Sequence, residues 1–301
     1  VRAKPYGALA AGIVAVSFGA ILARLAASPA PAVSAMRMIF ASLAIAPFAL
    51  GSRRVRGELR GLPKRDVALV GVSGAFLALH FILWISSLSY TDVTASVVFV
   101  TTSPFWVALF TIAVLRERVA RAFWPGLALA LVGGAVIGGA DALARGARLA
   151  GDLLAVAGAA ALAGYFIAGA RLRGRLSLVG YVFAVYSFAA VILLAGALAA
   201  RVPLTALGWK AYVSCLLMAL VCQVGGHSLF NWALRHLPAT FVAMAALGEP
   251  VGASLLALAI LGEAPRASDV VGGVLILAGI FVVLVFGPRT LEVGDRPGSG
   301  G

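Results

Sequence analysis

The sequence predicts an all-α integral membrane protein in which ten transmembrane helices form two inverted five-helix repeats. Three observations lead there. Of the 301 residues, 62% are hydrophobic and only 12% are charged, more apolar surface than one soluble core can hide. Ten apolar runs of near-bilayer length are bracketed by charged or Pro/Gly breaks. Finally, the stretch Thr101 to Gly133 recurs, without a gap, as Leu247 to Gly279. That register pairs Pro104 with Pro250, Glu117 with Glu263, Gly126 with Gly272 and Gly133 with Gly279, a coincidence that leucine-rich composition alone does not produce.

The runs, numbered as spans one to ten, are Gly7 to Ala26, Ala32 to Leu50, Val67 to Ser89, Val93 to Leu115, Trp124 to Gly139, Asp152 to Ala170, Val179 to Ala199, Trp209 to Leu234, Ala239 to Leu261 and Val270 to Phe286. They are continuous and too long for barrel strands that alternate lipid-facing and lumen-facing residues. The first run follows Arg2 and Lys4 and lacks a small-residue cleavage site, so it reads as a retained span rather than a signal peptide. Cys215 and Cys222 lie roughly 10 Å apart along one helix, too far to bridge. No cofactor or metal is expected. The polar, Gly-rich segment 291–301 reads as a disordered tail.

Arginine and lysine set the orientation. Arg2, Lys4, the run Arg53 to Arg65, Arg116, Arg118, Arg121, Arg171, Arg173, Arg175, Arg235, Arg289 and Arg296 fall on one side. They outnumber Arg145, Arg148, Arg201, Lys210 and Arg266 on the other, which places both termini in the cytoplasm; the Ala, Gly and Arg bias suggests a GC-rich bacterial genome, and so a multi-pass protein of the bacterial inner membrane. The formal charge of +13 thus reports membrane orientation, not nucleic-acid binding, because the cations sit in short loops rather than on one face. Five spans is an odd number, so a first repeat at 1–145 and a second at 146–290 must enter the bilayer from opposite sides. Inverted repeats place a solute site near the midplane, between halves that rock past each other.

In this order and duplicated, several short motifs carry a resemblance. They are Thr102-Ser103-Pro104 leading to Leu115-Arg116-Glu117-Arg118, Glu249-Pro250 leading to Leu261-Gly262-Glu263, Gly151-Asp152 opening span six, and Leu234 to Ala239 between spans eight and nine. The chain resembles the drug/metabolite transporter superfamily, specifically the EamA-type ten-helix transporters, from about Gly7 to Phe286. The resemblance implies export of small metabolites, often amino acids, with YddG-type aromatic amino acid exporters as one subgroup. The chain differs from that subgroup in having Ser103 where an aromatic residue precedes the proline.

Candidate binding residues come from polar or aromatic groups inside spans. Gln223, His227 and Asn231 recur at steps of four, so they share a helix face that lipid would not tolerate. Cavity lining and interhelical hydrogen bonding are both open readings. His80 and Trp84 are also four apart, and the repeat sets Trp84 at the depth of Phe230, giving two plates for stacking a cargo. A packed, hydrogen-bonded His80 is the plainer alternative. Glu249 lies mid-span, where a charge costs about 2.5–3.5 kcal/mol, and its twin is the uncharged Ser103. Proton coupling, capture of a cargo amine, and a hydrogen bond to backbone freed by Pro250 all remain open. Pro104 and Pro250 are expected to break their helices, with Thr101, Thr102, Ser103 and Trp106 beside the first break. Ser17 and Tyr165 occupy similar depths in the opening helices of the two repeats. Glu117 and Glu263 are loop ion-pair or gate candidates. Gly126, Gly133, Gly134, Gly272, Gly273 and Gly279 suit close helix packing, with a weak homodimer as the alternative to a monomer.

The leading functional expectation is a secondary transporter that exports amino acids or similar small organic metabolites by alternating access, with protons as a candidate coupling ion. There is no Gly-x-x-x-x-Gly-Lys-Ser/Thr loop for ATP. An intramembrane enzyme would require a catalytic cluster, and His80, His227 and His236 show no such spacing. A structural or sensory membrane protein would carry no solute at all.

Overall fold

The computed structural model describes residues 4–286 except 92, 146–148, 262–263 and 265, so Glu263 and the segment 291–301 lie outside the described residues. Among the described residues there are helices and no strands. Span one is Lys4–Ala26, span two Ala30–Gly51, span three Lys64–Ser87, span six Leu149–Arg173, span seven Leu178–Ala199, span eight Trp209–Ala233 and span ten Ala267–Phe286. Span five is Phe123–Arg145. Spans four and nine are each broken, into Val93–Val100 and Ser103–Phe110 and into Ala239–Ala246 and Glu249–Leu261. Large apolar side chains such as Phe48, Val191 and Phe281 point outward, as they do when lipid rather than water is the solvent. The arginine-rich second loop adds a short helix, Arg53–Arg60, that hydropathy did not anticipate; Ser52 caps it by accepting from the Val55 amide at 3.3 Å.

The two breaks correct the expectation that the prolines interrupt continuous helices. Pro104 and Pro250 each stand second in a new helical segment, where the missing amide hydrogen has no intrahelical partner to lose. The interruption falls just before them, at Thr101–Thr102 and at the twin positions Leu247–Gly248. Turn-type bonds close each one, from the Thr102 amide to Phe99 O at 3.2 Å and from the Gly248 amide to Ala245 O at 3.0 Å.

Helix packing follows a pseudo-two-fold relation between the repeats. Span one packs on eight and six on three, while two pairs with seven, four with nine and five with ten. Close contacts repeat under the same 146-residue shift. Gly12 lies against Gly226 and Phe230, and its twin Gly158 lies against their twins His80 and Trp84. At the five–ten seam a methyl added to Gly126 would stand 2.7 Å from Gly279 O, and one added to Gly133 would stand 2.5 Å from Gly272 O. Only glycine lets these backbones touch, so the small-residue faces pack within the chain.

Ties between the repeats hold both ends. At the arginine-rich end Arg175 donates to both carboxylate oxygens of Asp66 at 2.8 and 3.0 Å. Beside it, Glu58 accepts from the Ser177 amide at 3.2 Å and from Arg54 at 3.0 Å. Partial burial acts to raise the Glu58 pKa, and hydrogen bonds from Ser177 and Arg54 outweigh it, holding the carboxyl below its usual range. At the opposite end Thr91 donates to Asp152 at 2.9 Å.

Candidate functional site

Seven spans converge on a cavity of about 30 Å³ inside the bundle, room for one or two waters in this conformation. Spans one to four contribute Val16, Gly19, Arg37, His80, Phe81, Trp84 and Val100, and spans six, eight and nine contribute Leu162, Phe166, His227, Phe230, Ala246 and Glu249. Eight of these are twins under the shift: Val16 with Leu162, Phe81 with His227, Trp84 with Phe230, and Val100 with Ala246. The cavity therefore sits on the pseudo-two-fold axis, where inverted repeats place a solute site. Its strongest polar groups break the symmetry. Arg37, His80 and Glu249 have Phe183, Gly226 and Ser103 as twins.

Aromatic groups form the walls. His80 and Trp84 stack with parallel rings at 6.1 Å, and His227 meets Phe81 and Phe230 edge-on at 5.5 and 6.2 Å. His80 donates its Nδ1 hydrogen to Gly158 O at 2.9 Å, which fixes the tautomer and ties span three to span six. His80 is thus hydrogen-bonded and at the same time lines the cavity.

Glu249 opens the second half of span nine. A carboxylate in the first turn of a helix faces the positive end of its dipole, which offsets part of the cost of a charge at this depth. Its side chain is partly exposed to the cavity and accepts no hydrogen bond from any described residue. A bond to backbone freed by Pro250 is thus not among its contacts.

Arg37, which no sequence signal singled out, lies inside span two, 2% exposed. Its guanidinium lies 4.0 Å over the Phe81 ring and donates from Nη2 to Gln223 Oε1 at 3.0 Å. Among the described residues it forms no ion pair. Its Nε, Gln223 Nε2, Trp84 Nε1 and His227 Nδ1 all lack a hydrogen-bond partner.

Several expected lining residues lie behind the cavity wall. Of Gln223, His227 and Asn231 on span eight only His227 reaches it; the other two lie one helical turn, about 6 Å, to either side. Gln223 sits behind Arg37. Asn231 donates to Tyr165 and, at 3.5 Å, to Tyr186, in a buried network continued by the 3.1 Å Tyr186–Ser228 hydroxyl pair. The span is π-helical over Met218–His227, and Gly226 packs close to Val16, so its glycines serve both a widened helix and a tight crossing. Ser17 spends its hydroxyl on Ile13 O at 2.7 Å and Glu249 O at 3.2 Å, tying span one to the break in span nine. Thr102 bonds Phe99 O at 2.7 Å. Thr101 and Ser103 are buried, and Trp106 packs edge-on against Phe105 at 5.4 Å; none of the three lines the cavity. Glu117 is exposed after span four and forms no ion pair among the described residues.

A second, open groove of about 540 Å³ at the arginine-rich end is bordered by Arg54, Arg173, Arg235 and His236. It lies off the axis and carries no pair of twin residues. Among the described residues no group of His, Cys, Asp and Glu is arranged to hold a metal ion.

None of the curated proteins compared with the chain matches it. A crystal structure of another protein superposes with a TM-score of 0.74 at 20% identity, over 94% of this chain and 97% of that one. At that identity it shows a shared fold. The sequence model of the EamA-like transporter family matches twice, over residues 5–139 and 149–285. With both copies matched and the helices arranged as that duplication requires, the chain belongs to the EamA-like transporter family, multi-pass membrane transporters of small molecules.

Proposed function

We propose that this transporter is a secondary carrier that exports amino acids across the cytoplasmic membrane by alternating access, with both termini in the cytoplasm and one repeat in each of 1–145 and 146–290. The observation that carries the reading is the cavity on the symmetry axis, walled by twin aromatic and apolar residues and lined by one basic and one acidic side chain, Arg37 and Glu249. An α-amino acid offers an ammonium to Glu249 and an apolar or aromatic side chain to Trp84, Phe166 and Phe230. At about 30 Å³ the closed cavity is far smaller than a ligand site of some hundreds of Å³. Admitting a solute therefore requires the repeats to part at one end, loosening either the Asp66–Arg175 tie or the Thr91–Asp152 tie. The near-symmetric frame gives the two parted states similar energies, which is what a carrier needs.

The test is counterflow in liposomes containing the purified chain. Vesicles loaded with unlabelled leucine or phenylalanine should accumulate the same labelled amino acid transiently above equilibrium, and empty liposomes should not. Absence of exchange for a full amino acid panel would contradict the amino acid reading.

A further inference from the structure

We propose that Arg37 is the anchor for the cargo's carboxylate, which makes the site selective for carboxylate-bearing amino acids over the corresponding amines and amino alcohols. The proposal rests on the carrier reading above and adds the group that sets its specificity.

Three observations converge on it. A guanidinium buried within a membrane span is costly unless its donors are met. Arg37 has one hydrogen bond, to the neutral Gln223, and an aromatic face, the Phe81 ring at 4.0 Å. Stacking on Phe81 fixes the plane of the guanidinium, so its in-plane donors are pre-oriented for a planar, two-oxygen acceptor.

Of the four unpartnered polar atoms nearby, His227 Nδ1 donates or accepts according to its tautomer, and the other three share one sign. Arg37 Nε, Trp84 Nε1 and Gln223 Nε2 are all donors. Arg37 and Trp84 line the cavity, and Gln223 touches Arg37 directly. A set of buried donors without acceptors suits an anion, and a cation or an uncharged apolar solute would leave all of them unmet.

The one carboxylate in the cavity does not take that place. Glu249 lines the same space yet forms no ion pair with Arg37. A basic and an acidic side chain thus line the cavity apart from each other. That separation matches a zwitterion, with carboxylate toward Arg37 and ammonium toward Glu249. Arg37 has no basic twin, since Phe183 takes the equivalent position, so the receptor belongs to one repeat only. The cargo accordingly binds in one orientation.

The experiment is competition against labelled phenylalanine, measured on the full-length chain in detergent by scintillation proximity and in liposomes by counterflow. The competitors are phenylalanine and phenylalaninol, which replaces the carboxylate with a hydroxymethyl group. Wild-type protein should prefer phenylalanine by at least about tenfold, the scale of one charge-assisted contact. Arg37→Gln should bring the two within about twofold of each other, and Arg37→Lys should fall between, because an ammonium keeps the charge and loses the planar fork. Equal competition by phenylalaninol in the wild type, a measurement independent of any variant's folding, would overturn the anchor and leave the carrier reading standing. Full discrimination retained in Arg37→Gln would overturn it as well. Absence of binding and exchange for every amino acid tried would remove both readings together.

Discussion

Glu249→Gln should lower phenylalanine or leucine counterflow by about 10- to 150-fold. The substitution keeps size and shape and deletes the negative charge that faces the cavity. A hydrogen bond to a charged group is worth about 1.5–3 kcal/mol, and each 1.4 kcal/mol is about tenfold in affinity. The loss should fall mainly on apparent affinity, because Glu249 is proposed to hold the cargo amine. The protein should remain folded, since no described residue depends on the carboxylate for a hydrogen bond and its backbone carbonyl still accepts from Ser17. Counterflow in proteoliposomes, beside a size-exclusion profile of the variant, checks both statements. Wild-type affinity in a well-folded Glu249→Gln would remove the amine-capture role. The same preparation, assayed from acid to alkaline pH, tests proton coupling separately: a carrier coupled through Glu249 loses its pH dependence in this variant, and a carrier that is not keeps it.

Gly133→Val should destabilise the protein more than any other single change at the five–ten seam. A methyl at Gly133 would meet Gly272 O at 2.5 Å and the Ile276 amide nitrogen at 2.9 Å, both backbone atoms that move only if the helices separate. Valine adds two further carbons to that contact. Overpacking of this kind costs about 1–3 kcal/mol, and helix separation forfeits the neighbouring Gly126–Gly279 contact too. Gly196→Ala provides the control, because nothing lies within 4 Å of a methyl there, and alanine is the better helix former. Thermal unfolding in detergent should show a clear drop for Gly133→Val and none for Gly196→Ala. Equal stability of the two would mean that spans five and ten do not meet at these glycines.

The frame was legible because the repeat is marked by residues that composition does not supply at random. Pro104 with Pro250 and the paired glycines fixed a register, and that register, extended, places Trp84 with Phe230 and Phe81 with His227 around the cavity. Glu249 was visible as a charge in the middle of an apolar run. Arg37 was not, because hydropathy sets span ends by charge and so assigns an arginine near a run's start to its boundary. Its twin, Phe183, gave no second signal. A clue was still present: Arg37 stands five residues past Ala32, the start of its apolar run, with no acidic residue nearby to pair with it.

The hydroxyl residues fail for another reason. Ser17 and Thr102 satisfy themselves on carbonyls three or four residues back, a habit of serine and threonine in membrane helices that turns their hydroxyls away from the cavity. Gln223 and Asn231 share a face with His227, as the spacing required, yet periodicity gives direction and not height. The cavity is too short to admit all three.

Alternating access in this chain requires the two repeats to lie upside down relative to each other. Arg118 and Ala264 occupy twin positions after spans four and nine, and both are exposed. Single cysteines placed there, in a background lacking Cys215 and Cys222, can be probed in intact cells with a thiol reagent that does not cross the membrane. Inverted repeats require Ala264→Cys to be labelled from outside, and Arg118→Cys to be labelled only after the membrane is opened. Labelling of both positions from the same side would contradict the account.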